Sequence, residues 1–380
     1  MTPTMEVPLF DLEVGHEEEA ALIEVLRSRW ISTGPRVAAF ESAFAEALGV
    51  PHAVAVANGT AALHLAILAA RIGPGDEVIV PSLSFVATAN AARYAGATPV
   101  FADVVSAERP AMDPASVAAR ITPRTRAIVV MHYGGFPCDM PAIMALAEQH
   151  GLLVIEDACH ALLSEQGGRK LGGIGALGCF SFFSNKNMTT GEGGMVVTAD
   201  AELAGRVKLL RSHGMTTMSY DRARGHAATY DVVELGFNYR MDDLRAAMGL
   251  VQLSRMGDDI ARRAALRRDY EAALGTLDGV ILPFAGDNAE PRANHLMAIV
   301  LADADATRRD AVRIALRDRG VQTSMHYPPA HLFRIYADPD TSLPVTESLA
   351  NRLITLPFYR SMGAAQLEHV AESLREALLP

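Results

Sequence analysis

The chain has 380 residues, half of them hydrophobic, which excludes a disordered tail or a mini-domain and leaves room for two or three structural units. Its 34 basic and 44 acidic residues give a formal charge of −10, which argues against nucleic-acid binding as the main task. The three cysteines, Cys138, Cys159 and Cys179, show neither CxxC nor Cys/His metal spacing. A disulfide framework and a structural zinc site are therefore not expected, and a reducing cytoplasm fits best.

Residues 1–10 lack a basic n-region and an apolar h-region, and acidic residues cluster from Glu13 to Glu19, which reads as a mature soluble protein. The longest stretch free of Asp, Glu, Lys and Arg, residues 47–70, is long enough for a membrane span. Gly49, Pro51, His52, the Asn58-Gly59-Thr60 triplet and His64 interrupt it, so a short strand and a helix are expected instead.

From about residue 53 to 198, short β-branched runs alternate with helical stretches. Strands are expected at 53–57, 77–80, 98–102, 127–131, 152–156 and 194–198, and helices at 61–72, 85–94 and 141–150, each stopped at glycine. This is the pattern of an α/β domain with a mainly parallel sheet, which binds ligands at the carboxyl ends of its strands. After residue 200, long helices are expected at 241–254 and 258–274, with Arg262, Arg263, Arg267 and Arg268 read as a solvated face. Strands at 280–283 and 295–301, an irregular stretch at 326–333 and helices at 307–319 and 364–378 indicate a second, smaller α+β domain. The loops 216–231 and 333–343 are polar and variable-looking.

Three segments carry chemistry. Asn58-Gly59-Thr60 lies between a strand and a helix, where backbone N–H groups and the Thr60 hydroxyl can hold a phosphate; an ordinary turn with a threonine cap has the same pattern. Asp157 follows the apolar run 152–154, so it projects from a strand end toward the site, where a metal, a protonated ring nitrogen or an arginine would neutralise it. Glu156 beside it faces away, and His160 also fits a core-edge position. Lys186 follows a stretch with no charge from Leu171 to Asn185 and precedes the glycine-rich turn Gly191-Glu192-Gly193-Gly194. A partly desolvated lysine has a lowered pKa and is a competent amine nucleophile toward carbonyls, as a Schiff base requires.

Taken in order, Asn58-Gly59-Thr60-Ala61-Ala62-Leu63, Glu156-Asp157-Ala158-Cys159-His160-Ala161, Phe180-Ser181-Phe182 with Lys186, and Gly236-Phe237-Asn238-Tyr239-Arg240-Met241 closely resemble the DegT/DnrJ/EryC1/StrS aminotransferases. The resemblance covers nearly the whole chain, through Pro81-Ser82-Leu83-Ser84-Phe85 to His326-Tyr327-Pro328-Pro329. It implies a fold type I α/β transferase dependent on pyridoxal 5′-phosphate, with an N-terminal arm (1–20), a large cofactor-binding domain (21–255) and a small C-terminal α+β domain (256–380).

By this resemblance Lys186 forms the internal aldimine and shuttles the proton, and Asp157 pairs with the pyridinium nitrogen so that the ring acts as an electron sink. Phe85 stacks on the ring, His160 lies beside the cofactor, and Gly59, Thr60 and Ser181 cradle the phosphate. Asn238 is lent to the neighbouring subunit's cofactor phosphate, which makes a homodimer the smallest complete unit. His326 and Tyr327 border the substrate. Lysine rather than histidine at position 186 favours transamination over dehydration, while Cys159 stands where a smaller residue is usual. The implied activity is transfer of an amino group from an amino acid, L-glutamate being expected, through pyridoxamine phosphate to a keto group of a nucleotide-linked deoxysugar. Transamination of a keto-cyclitol is the alternative enzyme reading, and a non-catalytic cofactor- and sugar-binding regulator is a remote one.

Overall fold

The computed structural model describes residues 6–217 and 229–379. Residues 1–5 of the expected arm and 218–228 of the expected 216–231 loop lie outside the described residues. Two helices open the chain, His16–Ser28 and Pro35–Leu48, the first starting inside the segment read as an arm. The strands, in chain order, are β1 (His52–Val56), β2 (Glu77–Pro81), β3 (Thr98–Ala102), β4 (Thr125–Met131), β5 (Leu153–Asp157), β6 (Glu165–Gln166), β7 (Arg169–Lys170), β8 (Leu177–Ser181), β9 (Gly194–Thr198), β10 (Val280–Ile281), β11 (Met297–Leu301) and β12 (Leu353–Leu356). Residues 47–70 fold as the end of a helix, β1 and the helix Gly59–Ala69. Among the described residues, no helix is long and apolar enough to cross a membrane.

Seven strands form one sheet in the order β1-β9-β8-β5-β4-β2-β3. Its pairings are parallel except those of β9, which runs antiparallel to both β1 and β8. The sheet is buried on both faces, so its strands are apolar at successive residues. On one face Val54, Val78, Val129, Ile155 and Cys179 pack against the helices Gly59–Ala69 and Ala87–Tyr94; on the other, Ile79, Ile128, Val130 and Val154 pack around Met140–His150. Pleat alternation therefore places Asp157 and Ser181 on the face of the helix Gly59–Ala69 and sends Glu156 to the opposite face.

The second sheet, β10-β11-β12, is antiparallel. Along β11, Met297, Ile299 and Leu301 face a core with the helices Met256–Leu274, Ala306–Asp318 and Ala364–Leu378, whereas Ala298 and Val300 face the larger sheet's core. Val7 joins the smaller core and bridges to Val321.

Two features depart from the sequence expectations. The strands β6, β7, β8 and β12 are additional; in β8, Gly178, Cys179 and Ser181 dilute the β-branched signal. Arg263 and Arg267 are buried rather than solvated: Arg263 pairs with Asp259 at 2.9 Å, Arg267 pairs with Glu271 at 2.7 Å, and the Arg267 guanidinium lies 5.3 Å from the Phe136 ring centre. Both acids stand one helical turn from their partners, so the helix carries its own counter-charges into the core.

Glu156 is fully buried, and its carboxylate accepts the backbone N–H groups of Gly172 (2.6 Å), Ile174 (2.7 Å) and Gly175 (2.6 Å). His132 Nδ1 accepts from the Cys138 backbone N–H, so its Nε2–H donates to Glu156 at 3.0 Å. This carboxylate seats the turn that feeds β8. Glu156→Gln turns an amide N–H₂ toward groups that are themselves donors and should cost about 3 kcal/mol of stability. Urea denaturation checks this, and a midpoint equal to that of the unmodified chain refutes it.

Candidate active site

The helix Gly59–Ala69 begins immediately after β1, and its cap is Asn58, not Thr60: the Asn58 side chain accepts the Ala61 N–H at 2.8 Å. The N–H groups of Gly59 and Thr60 precede the first intrahelical bond and remain available to an anion. Glycine is required at 59, because a Cβ there would lie 2.8 Å from the Cβ of Ser181. This close approach brings the helix start and the end of β8 into one cradle.

Asp157 is the last residue of β5 and is only 5% exposed. Its Oδ2 accepts the Thr88 hydroxyl at 2.7 Å and its Oδ1 accepts the Cys159 N–H at 3.2 Å. Ser84 Oγ lies 3.0 Å from Thr88 Oγ1. Lys186 sits in the turn after β8, its N–H donating to the Phe183 carbonyl at 2.9 Å. Burial lowers the Lys186 pKa, while Cys159 and Asp157 oppose that shift. The amine is thus more available in its neutral, nucleophilic form than a surface lysine.

Nine of the ten expected site residues line one cavity of about 380 Å³: Gly59, Thr60, Phe85, Asp157, His160, Ser181, Lys186, His326 and Tyr327. The Phe85 ring is exposed and stands 6.1 Å from that of Tyr327. The Tyr327 hydroxyl is 2.9 Å from His160 Nε2, and His326 Nδ1 is 3.0 Å from Thr355 Oγ1. Asn238 is not brought in; it is exposed and bridges to Ser212.

The sequence reading missed several neighbours. Ser84 and Asn185 line the same cavity, Thr88 stands behind Asp157, and His295 Nδ1–H donates to Asn187 Oδ1 at 2.9 Å. The two asparagines flank Lys186 in sequence, which is a usable signal. Thr88 and His295 become visible only when distant elements meet.

The residues fit pyridoxal phosphate. An N-terminal helix cradle for an anion, a buried carboxylate, an amine and an open aromatic ring share the cavity, and His160 Nδ1 and Asn185 Oδ1 are buried polar atoms without a hydrogen-bond partner among the described residues. The DegT/DnrJ/EryC1/StrS aminotransferase family model matches residues 13–375. The chain belongs to this family. Its aminotransferases use pyridoxal phosphate. The chain is 40% identical over 370 residues to the spore coat polysaccharide biosynthesis protein SpsC of Bacillus subtilis (strain 168), covering 96% of this chain and 95% of SpsC. The crystal structure of DesV from S. venezuelae in complex with a ketimine intermediate is 37% identical with a TM-score of 0.90, covering 99% of this chain and all of that one. The putative sugar aminotransferase Spr1654 from Streptococcus pneumoniae, in its PMP form, is 26% identical with a TM-score of 0.92, over 98% of this chain and 99% of that one. These neighbours share the fold type I α/β architecture.

His160 and His295 have ring centres 4.3 Å apart, and both pKa values lie well below the usual histidine value because burial, then the Lys186 charge, disfavours protonation. Unfolding releases them to titrate near pH 6.5, so below that pH the unfolded chain binds more protons and stability falls with pH. Each histidine that stays neutral in the fold contributes up to about 1.4 kcal/mol per pH unit to that fall. His295→Gln keeps a partner for Asn187 and should flatten the decline between pH 6 and pH 5 by about that amount. Urea denaturation at the two pH values measures it, and an unchanged slope excludes the neutral-histidine account.

Proposed function

We propose that this aminotransferase moves an amino group from L-glutamate to a keto group of a nucleotide-linked deoxysugar, in amino-sugar biosynthesis in the cytoplasm. The observation that carries the reading is Lys186, with its burial-lowered pKa, sharing one cavity with Asp157 and the helix start at Gly59. Bound pyridoxal phosphate supplies an electron sink for charge developing on the carbon next to the transferred nitrogen. Gly59, Thr60 and Ser181 would hold its phosphate, Asp157 would keep its ring nitrogen protonated, and Phe85 would stack on the ring. Lys186 would hold the cofactor covalently, and its free amine would serve as the base that moves the proton of the reacting carbon. His326 and Tyr327 border the incoming substrate, and His160 lies beside the cofactor.

The exposed position of Asn238 favours a role outside its own cavity, as a ligand to the phosphate of a second copy, and hence a homodimer. We take residues 1–20 as an arm, 21–255 as the cofactor domain and 256–380 as the smaller domain. The sugar assignment draws support from relatives named for polysaccharide biosynthesis and sugar amination.

With pyridoxal phosphate added, the purified protein should show a visible absorption band that L-glutamate bleaches, and Lys186→Ala should bind without completing this cycle. A band untouched by saturating glutamate would overturn the donor assignment. A nucleoside diphosphate such as UDP or dTDP should stabilise the protein by about 2.7 kcal/mol at a hundred times its Kd, read as a rise in Tm. If no nucleoside diphosphate shifts Tm, a free cyclic ketone such as a keto-cyclitol replaces the nucleotide sugar as acceptor.

A further inference from the structure

Asp157 is held by a chain of buried hydroxyl groups that lies partly outside the cavity. Thr88 is 1% exposed and Ser84 2% exposed. The Thr88 hydroxyl has one hydrogen and the ionised Asp157 can only accept, so that hydrogen goes to Asp157 Oδ2 at 2.7 Å. Thr88 Oγ1 is then the acceptor, and the 3.0 Å contact with Ser84 must use the Ser84 hydrogen. The direction is Ser84 to Thr88 to Asp157, each bond polarising the next. Cys159 N–H occupies the other carboxylate oxygen.

We infer that Thr88, oriented by Ser84, is a positioning residue that keeps Asp157 ionised and aimed so that a proton shared with the cofactor's ring nitrogen stays on that nitrogen. The inference rests on the cofactor reading above. A carboxylate that accepts hydrogen bonds is stabilised in its charged form, whereas removing a donor inside a buried site favours the protonated acid. The neutral pairing is a weaker hold on the cofactor and a weaker electron sink. Thr88 also lies in the first turns of the helix Ala87–Tyr94, and its N–H donates to the Phe85 carbonyl at 3.3 Å. One residue therefore registers the carboxylate against the aromatic wall.

Thr88→Val keeps the shape and removes the hydroxyl. Its dissociation constant for pyridoxal phosphate, measured by equilibrium titration of apoprotein, should rise about 10-fold or more, as expected for loss of a hydrogen bond to a charged group. The visible band of the bound cofactor should become pH-dependent over a range where the unmodified protein's band is constant. Thr88→Ser should restore both properties, which a purely packing role for the threonine methyl would not do. Ser84→Ala leaves the Thr88 bond in place and should weaken cofactor binding about 2- to 5-fold, giving a second reading if Thr88→Val fails to fold. Affinities and spectra of Thr88→Val and Ser84→Ala equal to those of the unmodified protein overturn the inference while leaving the cofactor reading intact. Failure of the unmodified protein to bind pyridoxal phosphate overturns both.

Discussion

Strand β5 ends in two carboxylates that are adjacent in sequence and back to back in space, and both functional halves of the molecule are built on that alternation. A β-strand turns successive side chains to opposite faces, so Glu156 and Asp157 cannot share a task. Each is buried, and a buried charge is tolerated only where hydrogen-bond donors replace water. For Glu156 the donors are three backbone N–H groups of the 172–175 turn and the His132 ring, a set that leaves little capacity unused. For Asp157 they are one hydroxyl and one N–H, which leaves acceptor capacity on the cavity side. The first acid's charge goes into architecture, and the second keeps acceptor capacity free toward the cavity.

The two halves are coupled through β8. The turn seated by Glu156 feeds this strand, which ends at Ser181 against Gly59 and leads directly into the Lys186 turn. Anion cradle, acid and amine are thereby fixed by one sheet rather than by independent loops. Crowding them has an electrostatic consequence. Burial first, then the Lys186 charge, opposes protonation of His160, His295 and His326, and Arg263 adds to this at His295. His326 is pushed down to about 4. Neutral imidazoles can accept as well as donate hydrogen bonds, which suits a wall that meets polar groups.

Much of this was legible in the sequence because it rests on local rules. The Asn58-Gly59-Thr60 triplet between β1 and its helix, the acid closing an apolar run and the uncharged stretch before Lys186 are each short-range patterns, and the structure places Gly59, Thr60, Asp157 and Lys186 in one cavity. The β-branched runs account for six of the seven strands of the larger sheet, β9 among them, while β8 escaped because two-sided burial does not demand β-branched residues where Gly178 and Cys179 fit. The arginines of the helix Met256–Leu274 misled for a related reason: alternating charges at helical spacing look identical on a solvated face and in a core where each arginine has an acid one turn away. Thr88 is sixty-nine residues from Asp157, and no local pattern announces that bond.

The cavity itself divides by origin. Its inner side comes largely from strand ends and a helix start, where geometry is imposed by the sheet and a shift of one residue would reverse the face, with Lys186 in the turn that follows β8. Its outer wall comes from connecting segments: Phe183 and Asn185 after β8, Glu192 before β9, and the 326–327 segment ahead of β12. Loops tolerate exchange far better than sheet positions do, so the inner side is the part of the cavity least free to vary. The outer wall is the part most free to vary. This division accounts for an inner side that reads clearly from residue types and spacing, while the outer wall depends on how separate loops meet.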